Sequence, residues 1–332
     1  MIGYLVKRAL SALGLLFTIS IVSFMMLQIP DGDYASYAKA LAISQGGMSQ
    51  QDAEAYAQDI RERYGLDKPV LVQYFTWAGN IVTHGDFGPS FSYNKPVSAL
   101  VGERLPRTLA IALLCHLLAT TFGVSLGIIA ATQKHRMGDT IASTVAFLGM
   151  TIPRFFMALV ILYYLAFVVR WPYIGSLYSP QYVFAPFSPG KLWDFLLHVW
   201  PAVLIATLGG LAYNARVMRG NLLDVLRQPY VEAARAKGLK ESTVILKHAV
   251  PNALHPLVMH QGVILPYMIS GELEVAIILS IPTIGPLMFN ALTQQDINVT
   301  SSILLLLSAV LLLGNFLADV ALALLDPRIR LS

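Results

Sequence analysis

The sequence predicts an all-α integral membrane protein with six transmembrane helices, on three observations. Of 332 residues, 56% are apolar and 13% charged, and the mean hydropathy of +0.61 lies outside the range of soluble domains. Several apolar stretches reach about 20 residues, which at about 1.5 Å per residue crosses a hydrocarbon core about 30 Å thick. The basic residues collect in short segments beside those stretches, as Lys and Arg do when they set topology. The net charge of +4 is therefore topogenic and does not point to nucleic acid. The lone cysteine, Cys115, excludes an intrachain disulfide framework.

Residues 1–29 begin with Lys7 and Arg8 and stay apolar through Leu27. That run is longer than a signal-peptide core, and no small-x-small cleavage site precedes Pro30, so it reads as a first transmembrane helix with a cytosolic N-terminus. Residues 30–103 hold nine acidic residues against Lys39, Arg61, Arg63, Lys68 and Lys95, which suits a small helical extracytoplasmic subdomain. Ser49 caps a helix with Tyr56, Ile60 and Tyr64 on one face, closed by Gly65. Pro69 starts another, aligning Val70, Tyr74, Trp77 and Ile81 and ending near Gly85.

Arg104 and Arg107 lead into a second span, Thr108 to Ala131. A basic turn at Lys134, His135 and Arg136 joins it to a third, Thr140 to Val169, interrupted only by Arg154 after Pro153. Residues 170–194 interleave Pro and Gly with aromatic rings, the composition of an interfacial loop. A fourth span runs from Phe195 to Tyr213 and a fifth from Leu257 to Ile281. A loop with Pro282, Gly285, Pro286 and Asp296 precedes the sixth, Ser301 to Leu325, which Arg328 and Arg330 terminate. Thirteen of the 23 basic residues fall on the side that carries both termini, which makes that side cytosolic.

The segment 214–256 is the most basic interval, with Arg216, Arg219, Arg227, Arg235, Lys237, Lys240 and Lys247. Pro229 opens a short helix, the alanines at 233, 234 and 236 continue it, and Gly238 supplies a left-handed stop. A second helix, Lys240 to Val250, ends at Pro251, and Asn252 caps the fifth span. Helices shorter than about 12–15 residues are marginal in water, so the first needs packing to stay ordered. Alanine methyls ringed by Tyr230, Glu232, Arg235 and Lys237 are too small an apolar face for a membrane-surface helix. Two readings stay open on these grounds: a helix that docks into another protein's groove, or a structural hairpin.

The string Glu232-Ala233-Ala234, Gly238, His248 and Pro251-Asn252 resembles the loop of membrane subunits of ABC importers, in the dipeptide/oligopeptide/nickel permease family. The likeness covers nearly the whole chain. It continues in Tyr4-Leu5-Val6-Lys7-Arg8, Pro30-Asp31-Gly32-Asp33, Gly65-Leu66-Asp67-Lys68-Pro69, Gly85-Asp86-Phe87-Gly88-Pro89-Ser90, Arg104-Leu105-Pro106-Arg107-Thr108-Leu109 and Asp326-Pro327-Arg328, all in family order. The resemblance implies a type I ABC importer permease fold, with spans two to six (104–332) as its core, in the bacterial inner membrane. It also implies that Tyr230, Glu232, Ala233, Ala234, Arg235, Lys237 and Gly238 couple the chain to an ATPase cleft. The implied partners are a second homologous permease, two ABC ATPase subunits, a periplasmic binding protein and the surrounding lipid. No G-x-x-x-x-G-K-[ST] loop occurs, so ATP and Mg are expected on the ATPases, with no cofactor in this chain. The enzyme motif H-E-x-x-H is missing from the sequence. The implied cargo is di- or oligopeptides, with a nickel complex or an oligosaccharide as alternatives and a proton-coupled carrier as the rival class.

Arg154, Glu272 and Glu274 fall within predicted spans, where a charge costs about 2.5–3.5 kcal/mol on insertion scales and calls for a partner or water. They are candidates for the translocation path, unless they lie nearer an interface. The two glutamates sit about 200° apart on a helix and cannot share one face. Relatives carry a glutamate and then Pro-Gly-x-Gly where this chain has Ala276 and Pro282-Thr283-Ile284-Gly285. Asn315 and Asp319, four apart, match the family pattern and read as polar contacts between helices. The histidines form no ligand set, so no metal site is expected.

Overall fold

The structure is a computed structural model that describes the backbone of residues 2–325 and the side chains of 6–258 and 272–316. Its helices in chain order are α1 (Ile2–Leu27), α2 (Tyr34–Gly46), α3 (Gln50–Tyr64), α4 (Val70–His84), α5 (Val97–Thr132), α6 (Met137–Thr151) and α7 (Arg154–Tyr163). There follow α8 (Pro180–Val183), α9 (Pro189–Val225), α10 (Pro229–Ala236), α11 (Glu241–Thr243), α12 (Val250–Ile278), α13 (Ile284–Thr293) and α14 (Ile297–Leu325). No β-strand occurs among the described residues. Among the described residues, four of these helices are long and apolar enough to cross a membrane, and a fifth span results if the bent pair α6 and α7 is one. The apolar middle of α12, the predicted fifth span, carries side chains outside the described residues.

The chain divides into two compact units. The first comprises Met1–Pro106 and Ile284–Phe316. Within it, Asp33 caps α2 by accepting the Ser36 N–H at 2.8 Å, and Arg61 of α3 donates from Nε to the same carboxylate at 2.8 Å. Burial works to raise the Asp33 pKa, but the hydrogen bonds from Arg61 and Ser36 outweigh it and hold the carboxyl below its ordinary value. Ser49 and Gly65 bound α3 as predicted, with Gly65 left-handed at φ +67°. The buried stripe differs: α3 packs on α2 through Ala53, Ala57 and Ile60, and Tyr56 is 45% exposed. Tyr56 lies one residue, about 100°, off that stripe, and small alanines let the two helices approach. Tyr74 and Trp77 of α4 are buried against Phe24 of α1, each ring centroid 5.5 Å from that of Phe24. At the start of α14 the buried carboxylate of Asp296 accepts from Ser90 Oγ (2.6 Å) and Ser92 Oγ (2.9 Å). The segment predicted as a loop from Pro282 to Asp296 holds α13, and α2 also lay outside the expected elements.

The second unit comprises Arg107–Thr283 and Leu317–Ser332. Its centre is the packing of α9 against α5, α6 and α12. Gly123 and Gly127 of α5 let α9 approach to backbone contact. A Cβ at Gly123 would lie 2.7 Å from the Leu211 carbonyl oxygen, and one at Gly127 would lie 2.7 Å from that of Ala215. Gly149 does the same for α6, 2.9 Å from the Leu208 carbonyl oxygen. The predicted third span is not straight. It breaks after Thr151 and turns by 99° into α7, because Pro153 lacks an N–H and holds Ile152 in the extended region (φ −81°, ψ 122°). The fourth span is longer than predicted: α9 starts at Pro189 and carries on past Tyr213 to Val225.

Candidate functional site

The extension of α9 positions the short helix α10. After Val225 the chain turns, Pro229 takes the first position of α10, and Gly238 follows its end with φ +76°. The Gly238 N–H donates to the Arg235 carbonyl at 2.9 Å. As an eight-residue helix requires, one face is packed: Val231 and Ala234 are buried with Met218, Leu222, Val244 and Ala249. This corrects the expected docking face, since Ala234 belongs to the chain's own core. The exposed set is Tyr230, Glu232, Ala233, Arg235, Lys237 and Gly238, with Ala236 among them.

Arg235 is not a free cation on that surface. Its Nη2 donates to Glu241 Oε1 at 2.8 Å and its Nε reaches both oxygens, closing a staple across the Gly238 turn. The hydrogen bond from Arg235 holds the Glu241 carboxyl below its usual value, and Arg235 is raised in turn. Beyond Glu241 the predicted stop at Pro251 does not occur. The chain widens into π-helical turns over Val244–Ala249 and runs directly into α12. A widened turn accommodates a proline ring that would clash with the carbonyl four residues before it. Asn252, predicted to cap α12, lies inside it and donates from Nδ2 to the His248 carbonyl at 2.9 Å. Two further contacts tie this arm to the helical core. Asn221 Nδ2 donates to the Ala253 carbonyl at 3.1 Å, and Arg219 clamps Asp139 of α6 with Nε to Oδ1 at 2.8 Å and Nη2 to Oδ2 at 3.0 Å.

The three charged candidates for the path separate. Arg154 is half-buried in the first turn of α7, and its guanidinium lies over Gly209 of α9, where a Cβ would be 2.7 Å from Nη2. Glu272 is 1% exposed, and its Oε2 has no hydrogen-bond partner among the described residues. Glu274 is exposed, so the two glutamates diverge as their spacing requires. Arg154 and Glu272 both lie within electrostatic reach of Cys115, which sits in the apolar cluster of α5, α9 and α12. Sequence reasoning missed Asn214, fully buried in α9 with Nδ2 donating to the Ala119 carbonyl at 3.3 Å. It was assigned to the start of the basic loop, although it continues the helix. Missed too was the pairing of Gly123 with Gly127, whose G-x-x-x-G spacing is the signal for close helix approach. Asn315 is half-buried on α14, and the side chain of Asp319 lies outside the described residues.

Residues 123–331 match the family described as the binding-protein-dependent transport system inner membrane component, and residues 1–112 match that system's N-terminal membrane component. The chain belongs to this family. It is thus a multi-pass inner membrane component of an ABC transport system. The oligopeptide transport system permease protein of Bacillus subtilis is 33% identical over 332 residues, covering 99% of this chain and 100% of that relative. A solved structure of the MetNI methionine ABC transporter, in an inward-facing conformation, aligns with a TM-score of 0.54 at 16% identity. That alignment covers 68% of this chain and 96% of that one. At that identity the likeness is one of fold, and the fold is that of an ABC importer permease.

Proposed function

We propose that the chain is one of two homologous permease subunits of an ATP-driven importer of di- or oligopeptides, with α10 as its coupling helix. The observation that carries this is the construction of α10. A helix too short to stand alone is packed from behind by Val231 and Ala234, stapled by Arg235 and Glu241, and presents a face of small side chains with Tyr230, Glu232 and Lys237. Such a face suits insertion into a cleft on an ATPase subunit, which would bind ATP and Mg. The Arg219–Asp139 clamp gives motion of that helix a rigid route into α6 and α9. The peptide cargo is taken from the name of the Bacillus subtilis relative.

In this reading the chain crosses the membrane six times with both termini cytosolic. Residues 1–29 form the first span, 30–103 an extracytoplasmic subdomain facing the binding protein, and 104–332 the permease core. The decisive experiment reconstitutes the chain with its second permease, the ATPase subunits and the binding protein in proteoliposomes. Uptake of di- or oligopeptide should require ATP, stop on vanadate and ignore an uncoupler. Uptake that an uncoupler stops and vanadate does not would overturn the reading in favour of a proton-coupled carrier.

A further inference from the structure

The helix α4 belongs to the segment predicted to lie outside the membrane, yet its surface is divided as a membrane helix's would be. One stripe, Val70, Tyr74, Trp77 and Ile81, clusters with Ile21 and Phe24 of α1. A polar stripe holds Gln73, Thr76, Asn80 and Thr83. Nearly opposite the polar one, Leu71, Phe75, Ala78 and Val82 line up at spacings of four, three and four residues as a second apolar stripe. It is largely open, with Phe75 63% and Val82 86% exposed. No charged residue occurs from Val70 to Thr83.

The level at which α4 meets α1 sets its depth. The apolar span of α1 runs to Leu27. The Tyr74 hydroxyl meets Ser20 Oγ at 2.8 Å, seven residues inside that end, which is about 10 Å along a helix. Ser20 Oγ itself donates to the Phe17 carbonyl at 2.8 Å, so it accepts from Tyr74, and both hydroxyls are satisfied without water. The exposed hydroxyls of α4 are satisfied internally as well. Thr76 Oγ1 donates to the Val72 carbonyl at 2.8 Å and Thr83 Oγ1 to the Gly79 carbonyl at 2.7 Å, as Thr18 of α1 does to Gly14 at 3.0 Å. A helix in lipid has to settle its polar groups within the protein in this way.

Between the open stripe and α1 lies a cavity of about 490 Å³, walled by Leu16, Phe17, Phe75, Val82 and Leu305 of α14. The hydroxyls in its wall, those of Ser20, Tyr74 and Thr83, are the ones already paired. The exposed Leu13 and Phe17 continue the same apolar surface along α1.

We propose that α4 is embedded in the leaflet on the Leu27 side of α1, and that this cavity seats an acyl chain of a phospholipid of that leaflet. An uncharged apolar wall at hydrocarbon depth matches a lipid tail and offers nothing to a solute from water. Of residues 30–103, α4 is then the part that enters the membrane. The inference rests on α1 crossing the bilayer and not on cargo or ATP, so peptide uptake could fail with α4 still in lipid.

The test places a spin label on the full-length chain through Val82→Cys in a Cys115→Ala background, in phosphatidylcholine liposomes, alone and together with the second permease. Collisions with oxygen, which concentrates in hydrocarbon, should be frequent, and those with a water-soluble nickel chelate rare. The ratio should match that of Leu13→Cys in α1 and reverse at Gln51→Cys in α3, two exposed positions. A phosphatidylcholine with a photoreactive diazirine in its acyl chain should crosslink to α4 of the unsubstituted chain at Phe75 or Val82, located by mass spectrometry. Nickel-chelate access at Val82 equal to that at Gln51, loss of both kinds of collision once the second permease is present, or no lipid crosslink on α4 would each overturn the proposal.

Discussion

Arg219 grips Asp139 with two parallel hydrogen bonds, 2.8 and 3.0 Å long, across 80 positions of sequence. The pair ties the foot of α6 to the extension of α9 that carries α10. Asp139 also accepts the His135 N–H at 3.0 Å and the Ser143 hydroxyl at 3.2 Å, so its carboxylate organises the turn between α5 and α6 as well.

A double-mutant cycle with Asp139→Asn and Arg219→Lys should return a coupling energy above the about 0–1 kcal/mol of exposed pairs. It should stay below the about 3–5 kcal/mol for breaking a fully buried one, because the Arg219 side chain is 31% exposed and that of Asp139 only 9%. Thermal denaturation in detergent measures it. Additive single-mutant effects would show that the pair stores no energy.

Gly127→Leu should destabilise the second unit by at least the about 1–3 kcal/mol of ordinary overpacking, because the obstacle includes the backbone oxygen of Ala215. Gly79→Ala in α4 is the control. No atom lies within 4 Å of a Cβ there, and the change should be neutral or stabilising by about 0.4–1 kcal/mol. Matched melting curves of the two variants decide the matter.

A Cβ added at Gly238 meets no atom within 4 Å, so the effect of Gly238→Val comes chiefly from φ +76°, a backbone region that costs an L-residue about 1–2 kcal/mol. The variant should reach the membrane in normal amount and leave ATP hydrolysis uncoupled from uptake. Gly238→Asn, which tolerates the left-handed region, should restore much of the coupling. Normal uptake by the valine variant would remove Gly238 from the mechanism.

Acid should loosen the α2–α3 pair. Because the native Asp33 pKa is depressed, its contribution is fully present above the ordinary aspartate value of about 3.9 and is lost as pH falls through the lower native value. Amide exchange of α2, followed by mass spectrometry as pH is lowered, should show protection falling in that window. Asp33→Asn should flatten the dependence.

Glu272→Gln should impair peptide uptake more than Glu274→Gln, since Glu272 is enclosed by the helical core and Glu274 is not. Equal, unimpaired uptake by both would remove the pair from the path.

Much of the α10 arm was legible in the sequence because it depends on local rules. Pro229 begins a helix, Gly238 ends it, and eight residues cannot stay helical without a packed face. The caps at Ser49, Gly65 and Gly85 were legible for the same reason, since each is one side chain or one φ angle satisfying groups within four residues. Span boundaries were less accurate. Hydropathy marks where apolar residues stop, whereas α9 continues as polar helix to Val225. The break at Pro153 was not read from the sequence: a proline signals that a helix cannot pass undisturbed, but it does not set a bend of 99°.

The sequence by itself determined that this is a helical membrane protein with several segments apolar enough to span, and where a short alanine helix turns on a glycine. Composition, hydropathy and the dihedral preferences of Pro and Gly act over a few residues and need no partner. Only the tertiary structure decided that Ala234 faces inward, that Arg235 answers Glu241, that Arg154 rests on Gly209, and that Arg219 reaches Asp139. Each of these depends on how far apart packed helices lie and how they are rotated. The small residues at 123, 127, 149 and 209 set those distances only once the helices meet.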